Sequence, residues 1–458
     1  MSEIQLPAEF ESQMKALLGE QEFELFKKAI NQASQTSIRI NPTKPFTNSW
    51  VKRPVPWSNH GYFLEERPSF TLDPLFHAGA YYVQEASSMF IEHILRSLEI
   101  PKGVYLDLAA APGGKSTLLA SFLGEEGLLV ANEVIQSRAQ ILKENVIKWG
   151  MGNVVVTNND PDHFESLEGF FDLVLVDAPC SGEGMFRKDP NAREEWSLDN
   201  VQLCSARQKR IMDKAGALVK GGGYLIYSTC TFNEKENEDM IRFLTEEFAF
   251  EPARIALDPE WKIVETSVET EEGTFYGYRF FPHKVEGEGF FITVLKRPDS
   301  ASTQDPGRIK DFKHQVLKSL GAKEGQALEE ELGFDGHGKY YTLNDSFFRI
   351  QSDFYRYFEK ITQVLNLRYF GVELGKKQKN EWIPSHEWAL SNLPKNPFPK
   401  HELNLEEALD FLRKNDQEFE HLPLGWVLMT YQNLPLGWVK NLGNRINNYY
   451  PKEWRIRM

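Results

Sequence analysis

The sequence predicts an α/β fold with a parallel sheet and helices on both faces. Three observations carry this. Between residues 104 and 297, short apolar runs alternate with helical patterns, which is the signature of strands joined by helical crossovers. Two final runs, Gly277–Phe281 and Phe290–Leu295, are separated only by the polar stretch Pro282–Gly289, so that last pair forms an antiparallel hairpin. The run Val104-Tyr105-Leu106-Asp107 passes directly into a small-residue loop and a helix start.

The parallel strands are expected at 104–108, 128–132, 153–157, 173–177 and 223–228, with helices such as Ser137–Trp149 and Asp199–Val219 between them. The loop after the first strand is Ala109-Ala110-Ala111-Pro112-Gly113-Gly114, followed by Lys115 and Ser116. Small residues there let a ligand approach backbone N–H groups, and a helix start favours anionic groups. The spacing is neither the G-x-G-x-x-G fingerprint nor a P-loop.

At 458 residues, two or three domains are expected. No run of 18 or more apolar residues occurs, so no membrane-spanning helix is expected. The acidic, polar start MSEIQLPAEFESQ does not read as a signal or transit peptide. Three cysteines, Cys180, Cys204 and Cys230, are too few for a disulfide framework, and none lies in a zinc-binding spacing. Reduced thiols and a cytoplasmic location are the expectation, with no metal and a monomer. A net charge of −14 argues against indiscriminate coating of nucleic acid; any RNA contact must use a local basic cluster.

Residues 1–70 are expected to form a small N-terminal lobe. Residues 1–35 carry a helical period, and Ser37-Ile38-Arg39-Ile40-Asn41-Pro42-Thr43-Lys44 reads as a short strand with two basic residues. Residues 71–300 form the main domain. The Ser-, Asp- and Pro-rich start of 301–330 reads as a linker. Residues 331–458 are expected to be separate, and they contain Leu422-Pro423-Leu424-Gly425-Trp426-Val427 again as Leu434-Pro435-Leu436-Gly437-Trp438-Val439. Two copies read as a pair of similar small-barrel strands rather than a repeat array. The tail from Lys440 carries Arg445, Lys452, Arg455 and Arg457 among Tyr449, Tyr450 and Trp454, and is the best local candidate for an RNA contact.

Acidic residues fall at three strand ends. Asp107 ends the first strand, Glu133 follows the second, and Asp160 follows the third. An acid after the second strand can accept both ribose hydroxyls, and Asp160 is placed to accept from an exocyclic adenine amine. Each alone reads as a helix cap or a solvated carboxylate; in register with the loop, the three favour a nucleotide-like cofactor. The fourth strand delivers Asp177 and then Cys180; the fifth delivers Cys230. Cys204 sits in a helical run and reads as core. A thiolate adding to C6 of cytosine makes C5 a nucleophile for a methyl sulfonium. A carboxyl group near N3 and a base for the C5 proton complete such a reaction.

LDLAAAPGGKS, NEVIQSRAQILKENVIKWG, FDLVLVDAPCSGEG and YSTCTFNEKENE together resemble the NOL1/NOP2/Sun family of RNA cytosine-5 methyltransferases. The resemblance implies a Rossmann-like, seven-stranded S-adenosylmethionine-dependent methyltransferase sheet. It implies Cys230 as nucleophile, Cys180 as its assistant in proton removal and release, and Asp177 facing the cytosine and touching the cofactor. Ala109, Ala110, Ala111, Pro112, Gly113, Gly114, Lys115, Glu133 and Asp160 would bind S-adenosylmethionine. Many relatives carry a cysteine where this chain has Ala109. HAGAYYVQEASSM resembles the element completing the cofactor pocket, and SIRINPTK an RNA-binding α+β lobe. GMFRKDP, RFFPHKVEGEGFF and the C-terminal PLGWVKNLGNRINNYYPKEWRIR are similar to the RsmF branch, which acts on 16S ribosomal RNA and carries a PUA-like C-terminal domain.

The leading expectation is therefore methylation of cytosine C5 in the decoding region of 16S rRNA, with RNA or the small ribosomal subunit as partner. The alternatives are a tRNA cytosine-5 methyltransferase and, from another class, a ribosome-assembly factor that binds RNA and S-adenosylmethionine. A small-molecule methyltransferase is disfavoured by the flanking lobes and the paired cysteines.

Overall fold

The computed structural model describes residues 5–47, 51–307, 312, 314–379 and 381–457. Its centre is a mixed sheet of ten strands. Five of them are parallel: β1 (Val104–Asp107), β2 (Leu128–Asn132), β3 (Val154–Thr157), β4 (Phe171–Asp177) and β5 (Val219–Thr229). A hairpin follows, β6 (Gly273–Phe280) and β7 (Phe290–Lys296), with Phe280 opposite Phe290; β7 runs antiparallel to β5. The order across these seven is β6-β7-β5-β4-β1-β2-β3. The chain thus reverses direction of travel beside β1, which opens a crevice at the carboxyl ends of the strands.

The parallel strands are buried on both faces because their side chains alternate into two cores. Tyr105, Leu129, Ala131, Val154, Val156, Leu173 and Leu175 enter one, and Leu106, Val130, Val155, Val174 and Val176 enter the other. Each such burial is worth about 2 kcal/mol, which holds the strands rigidly enough to aim the residues at their ends.

Both sheet edges carry a strand that the sequence pattern does not reveal. Val264–Thr270 pairs with β6. Leu367–Phe370 pairs antiparallel with β3. The second overturns the expectation that everything after the linker is separate. Tyr341, Phe348, Phe358, Ile361 and Phe370 share one core with Phe170, Phe171 and Val174. A strand Lys318–Ser319 and a helix Ala322–Leu332 also begin inside the expected linker. That helix carries few apolar residues: its buried face is only Gly325, Leu328 and Leu332. Residues 308–311 and 313 of the linker lie outside the described residues, as do 1–4 and 48–50 of the N-terminal lobe.

The helical period of 1–35 resolves into two helices, Ala8–Leu18 and Glu20–Ile30, broken at Gly19 with φ +78°. Phe10, Met14, Phe23 and Phe26 pack on Phe186, Trp196, Phe232 and Phe281, so these helices brace the loops that carry the cysteines. The lobe's sheet takes its fourth strand from Tyr81–Val83, beyond the boundary expected at residue 70. The two basic residues of its first strand segment are not surface groups. Arg39 donates to Gln84 Oε1 at 2.8 Å, to Thr117 Oγ1 at 2.6 Å and to the Gly114 carbonyl at 3.1 Å. Lys44 donates to the carbonyls of Ala78 at 2.8 Å and Lys148 at 2.7 Å. Both pin the lobe to the main domain.

The C-terminal sheet pairs Lys400–Glu402, Gly425–Tyr431, Leu434–Asn441 and Ile446–Asn448. The two similar segments lie on a hairpin that turns at Gln432 and Asn433, both with positive φ. In the tail, Tyr450 is buried, Trp454 packs on the core and Lys440 pairs with Glu381 at 2.7 Å. Arg445, Lys452, Arg455, Arg457 and Tyr449 are exposed. No helix among the described residues is long and apolar enough to cross a membrane.

Candidate active site

β1 delivers Asp107 into a dry setting. Its Oδ2 accepts from Ser116 Oγ at 2.6 Å, and its Oδ1 is buried with no hydrogen-bond partner. Burial pushes its pKa up to about 7. A buried carboxyl with a raised pKa favours the neutral form in the fold, so its stabilising contribution is full at acid pH and is lost as pH rises from the ordinary carboxylate range through about 7. The ligand-free chain is therefore expected to lose stability relative to Asp107→Asn between pH 5 and pH 8, read by thermal melts of both proteins. A difference that does not change with pH would remove this role from Asp107.

The loop after β1 is held from outside. Arg138 donates to the Ala111 carbonyl at 2.8 Å and Asn145 to the Pro112 carbonyl at 2.8 Å. The Ala111–Pro112 peptide is cis, and Gly113 has φ +115°, a conformation that suits glycine. A helix starts at Gly114. With its carbonyls tied back, the loop walls a cavity of about 180 Å³. Ala109, Ala110, Ala111, Pro112, Gly114, Lys115 and Asp177 line it, and Gly113 forms the turn beneath. Tyr82, Gln84 and Glu85 line its other wall. These three are legible only as part of a motif, because the strand Tyr81–Val83 that carries or precedes them belongs to another sheet. Glu133 and Asp160 lie at the ends of β2 and β3, outside that lining. Glu133 is buried, accepts from the Ile135 N–H at 3.0 Å and faces Arg138 at 3.5 Å. Asp160 caps the short helix Pro161–Leu167 and faces Arg210 at 3.7 Å.

β4 and β5 pair in parallel, with Asp177 opposite Ser228. Their ends bring the remaining groups together. Asp177 accepts from Ser228 Oγ at 2.8 Å and pairs with Lys115 Nζ at 2.7 Å. Burial opposes the Lys115 ammonium, but Asp177 outweighs it and the pKa rises above its ordinary value; Asp107 and Cys230 act in the same direction. Cys180 Sγ lies 3.2 Å from Cys230 Sγ and accepts from the Cys230 N–H at 3.3 Å. Both are free thiols and half-buried. The hydrogen bond with Cys230, then burial, push the Cys180 thiol well above its ordinary range. Cys204 lies apart, buried in the helix Leu198–Leu218. No cluster among the described residues could hold a metal ion.

Over 477 residues the chain is 31% identical to ribosomal RNA small subunit methyltransferase F of Pectobacterium atrosepticum, covering 98% of this chain and 95% of that protein. The chain belongs to this methyltransferase F family. Its Escherichia coli O157:H7 member is 29% identical over 98% of this chain and 96% of its own length. Family models match in three parts: the N-terminal domain of 16S rRNA methyltransferase RsmF at 6–86, 16S rRNA methyltransferase RsmB/F at 98–296, and the RsmF PUA domain at 398–456. Among solved structures, a methyltransferase homologue from Pyrococcus horikoshii is 28% identical, with a TM-score of 0.54 over 64% of this chain and 96% of that one.

The methyl donor of the family is S-adenosylmethionine. The residues present fit it. The cavity floor offers a buried carboxylate oxygen without a partner, and its small-residue wall allows close approach to backbone.

Proposed function

We propose that this chain methylates C5 of cytosine in 16S ribosomal RNA, in the decoding region, through a covalent bond between Cys230 and C6 of the base. One observation carries the reading: two free thiols 3.2 Å apart stand at the ends of adjacent strands, beside the Lys115–Asp177 pair. A donor cavity alone serves any methyl transfer; a thiol pair beside it serves the activation of an unreactive ring carbon.

Ala109 through Lys115, with Glu133, Asp160 and Asp177, would hold S-adenosylmethionine, which supplies an electrophilic methyl group. Cys230 attacks C6 as the thiolate. The new sulfur–carbon bond pushes electrons toward N3, which takes up a proton from solvent, held beside Asp177 and returned after methyl transfer, and leaves C5 nucleophilic. After C5 gains the methyl group, Cys180 assists loss of the C5 proton. The electrons of that C–H bond reform the double bond and expel Cys230. Exposed Arg445, Lys452, Arg455 and Arg457 supply the local positive charge that a chain of net charge −14 needs to meet RNA. We place the limit of the N-terminal lobe after Tyr81–Val83, and take the protein to act as a cytoplasmic monomer.

Bisulfite maps of 16S rRNA and tRNA from cells with and without this protein test the reading. Loss of one or more methylated cytosines in 16S rRNA is expected. An unchanged 16S profile would overturn it, and a change confined to tRNA would move the substrate.

A further inference from the structure

Two buried carboxylates on the loops that carry the thiols take no direct part in the methyl transfer. Glu183 belongs to the loop after β4, and Glu236 follows the loop after β5. Each reaches across to the other loop. Glu183 Oε2 accepts from the N–H groups of Phe232 at 2.7 Å and Asn233 at 3.0 Å. Glu236 Oε2 accepts from the Ser181 N–H at 3.0 Å and from Gln208 at 2.7 Å. The Asn233 amide joins the two, donating to Glu183 Oε1 at 3.0 Å and Glu236 Oε1 at 2.7 Å. Glu183 is 1% exposed and Glu236 0% exposed. Backbone contact tightens the same joint. The Gly184 N–H donates to the Cys230 carbonyl at 2.8 Å, and a Cβ at 184 would lie 2.9 Å from that oxygen.

We propose that Glu183 and Glu236 are positioning residues: with Asn233 they clasp the two cysteine loops together and so set Cys180 and Cys230 at their working separation. The proposal rests on the reading of these thiols as nucleophile and assistant. A carboxylate suits the task because its two oxygens accept several charge-assisted bonds at once. Without it, the N–H groups of Ser181, Phe232 and Asn233 would be buried and unpaired. Neither carboxylate lines the donor cavity, so the clasp acts on the sulfurs and not on donor binding.

The test uses the full chain carrying Cys204→Ser, with Glu236→Ala, Glu236→Gln and Glu183→Gln added singly. Three quantities are read: steady-state methylation of small-subunit RNA, affinity for S-adenosylmethionine by isothermal titration, and bridging of Cys180 to Cys230 by dibromobimane, which needs no RNA. Glu236→Ala is expected to lower kcat about 100-fold, the cost of roughly 1 Å of misplacement, with donor affinity unchanged and bridging slowed. The Gln variants retain one accepting oxygen and should recover part of both. Wild-type kcat and bridging in Glu236→Ala would overturn the clasp, as would equal loss of donor binding, which marks a merely structural role. Should Glu236→Ala not fold, Asn233→Ala carries the same comparison, and unchanged kcat and bridging there overturn the proposal. If no variant or parent methylates RNA while bridging still responds to Glu236, the functional reading fails and the clasp stands.

Discussion

Cys230→Ala is expected to abolish methyl transfer and to leave no covalent RNA complex. The loss should be about 10⁴-fold or more, the range found when a covalent nucleophile is removed. Cys180→Ala should behave differently. Its remaining thiol can still attack C6, but proton removal and release are impaired, so an RNA–protein adduct accumulates and turnover stops. Methyl incorporation from labelled donor measures the first effect. A denaturing gel of protein with RNA measures the second. The opposite pattern, an adduct with Cys230→Ala and none with Cys180→Ala, would exchange the two roles. The 3.2 Å separation of the sulfurs makes the contrast sharp, since either thiol stands close enough to influence the other's proton.

Arg39→Ala is expected to destabilise the protein by about 3 kcal/mol, through buried charge-assisted hydrogen bonds lost together. The guanidinium is 2% exposed and sits 4.4 Å from the Trp149 ring. From the N-terminal lobe it reaches Gln84, just beyond the lobe's last strand, and Gly114 and Thr117 at the start of the helix that follows the 109–113 loop. Burial lowers its pKa to about 9, which leaves it charged at neutral pH. Donor affinity should weaken alongside stability, because the released Gly114 carbonyl lies in the cavity wall. Urea unfolding and isothermal titration with S-adenosylmethionine give the two numbers. An Arg39→Ala protein as stable as its parent would show that the lobe docks without this residue.

The catalytic sheet was legible because its physics is local. Strands buried on both faces must be apolar throughout, and the small-residue loop, the acids and the cysteines each follow directly from a strand in the chain. Arg39 shows where that legibility stops. A basic residue in a short strand reads as a surface contact, and only the packing of Trp149, Gly114 and Thr117 around it makes it a staple. Glu183 and Glu236 stand inside quoted motifs, yet their role depends on two loops about fifty residues apart meeting over one amide. The expectation of a linker at 301–330 and a separate region from 331 fails for the same reason. The strand Leu367–Phe370 is recognisable only against β3, the partner that completes it.

The sequence by itself determined the succession of parallel strands and hairpin along the chain, the small-residue loop at 109–115 and the arrival of Asp177, Cys180 and Cys230 at strand ends. These follow from periodicity and from which residue ends each strand. Tertiary structure alone decided how close the two thiols stand, which basic residues are buried, and that the C-terminal half adds an edge strand to the catalytic sheet. Those are contacts between residues distant in the chain. Their free energy comes from desolvation and hydrogen bonding that exist only once both partners are buried together.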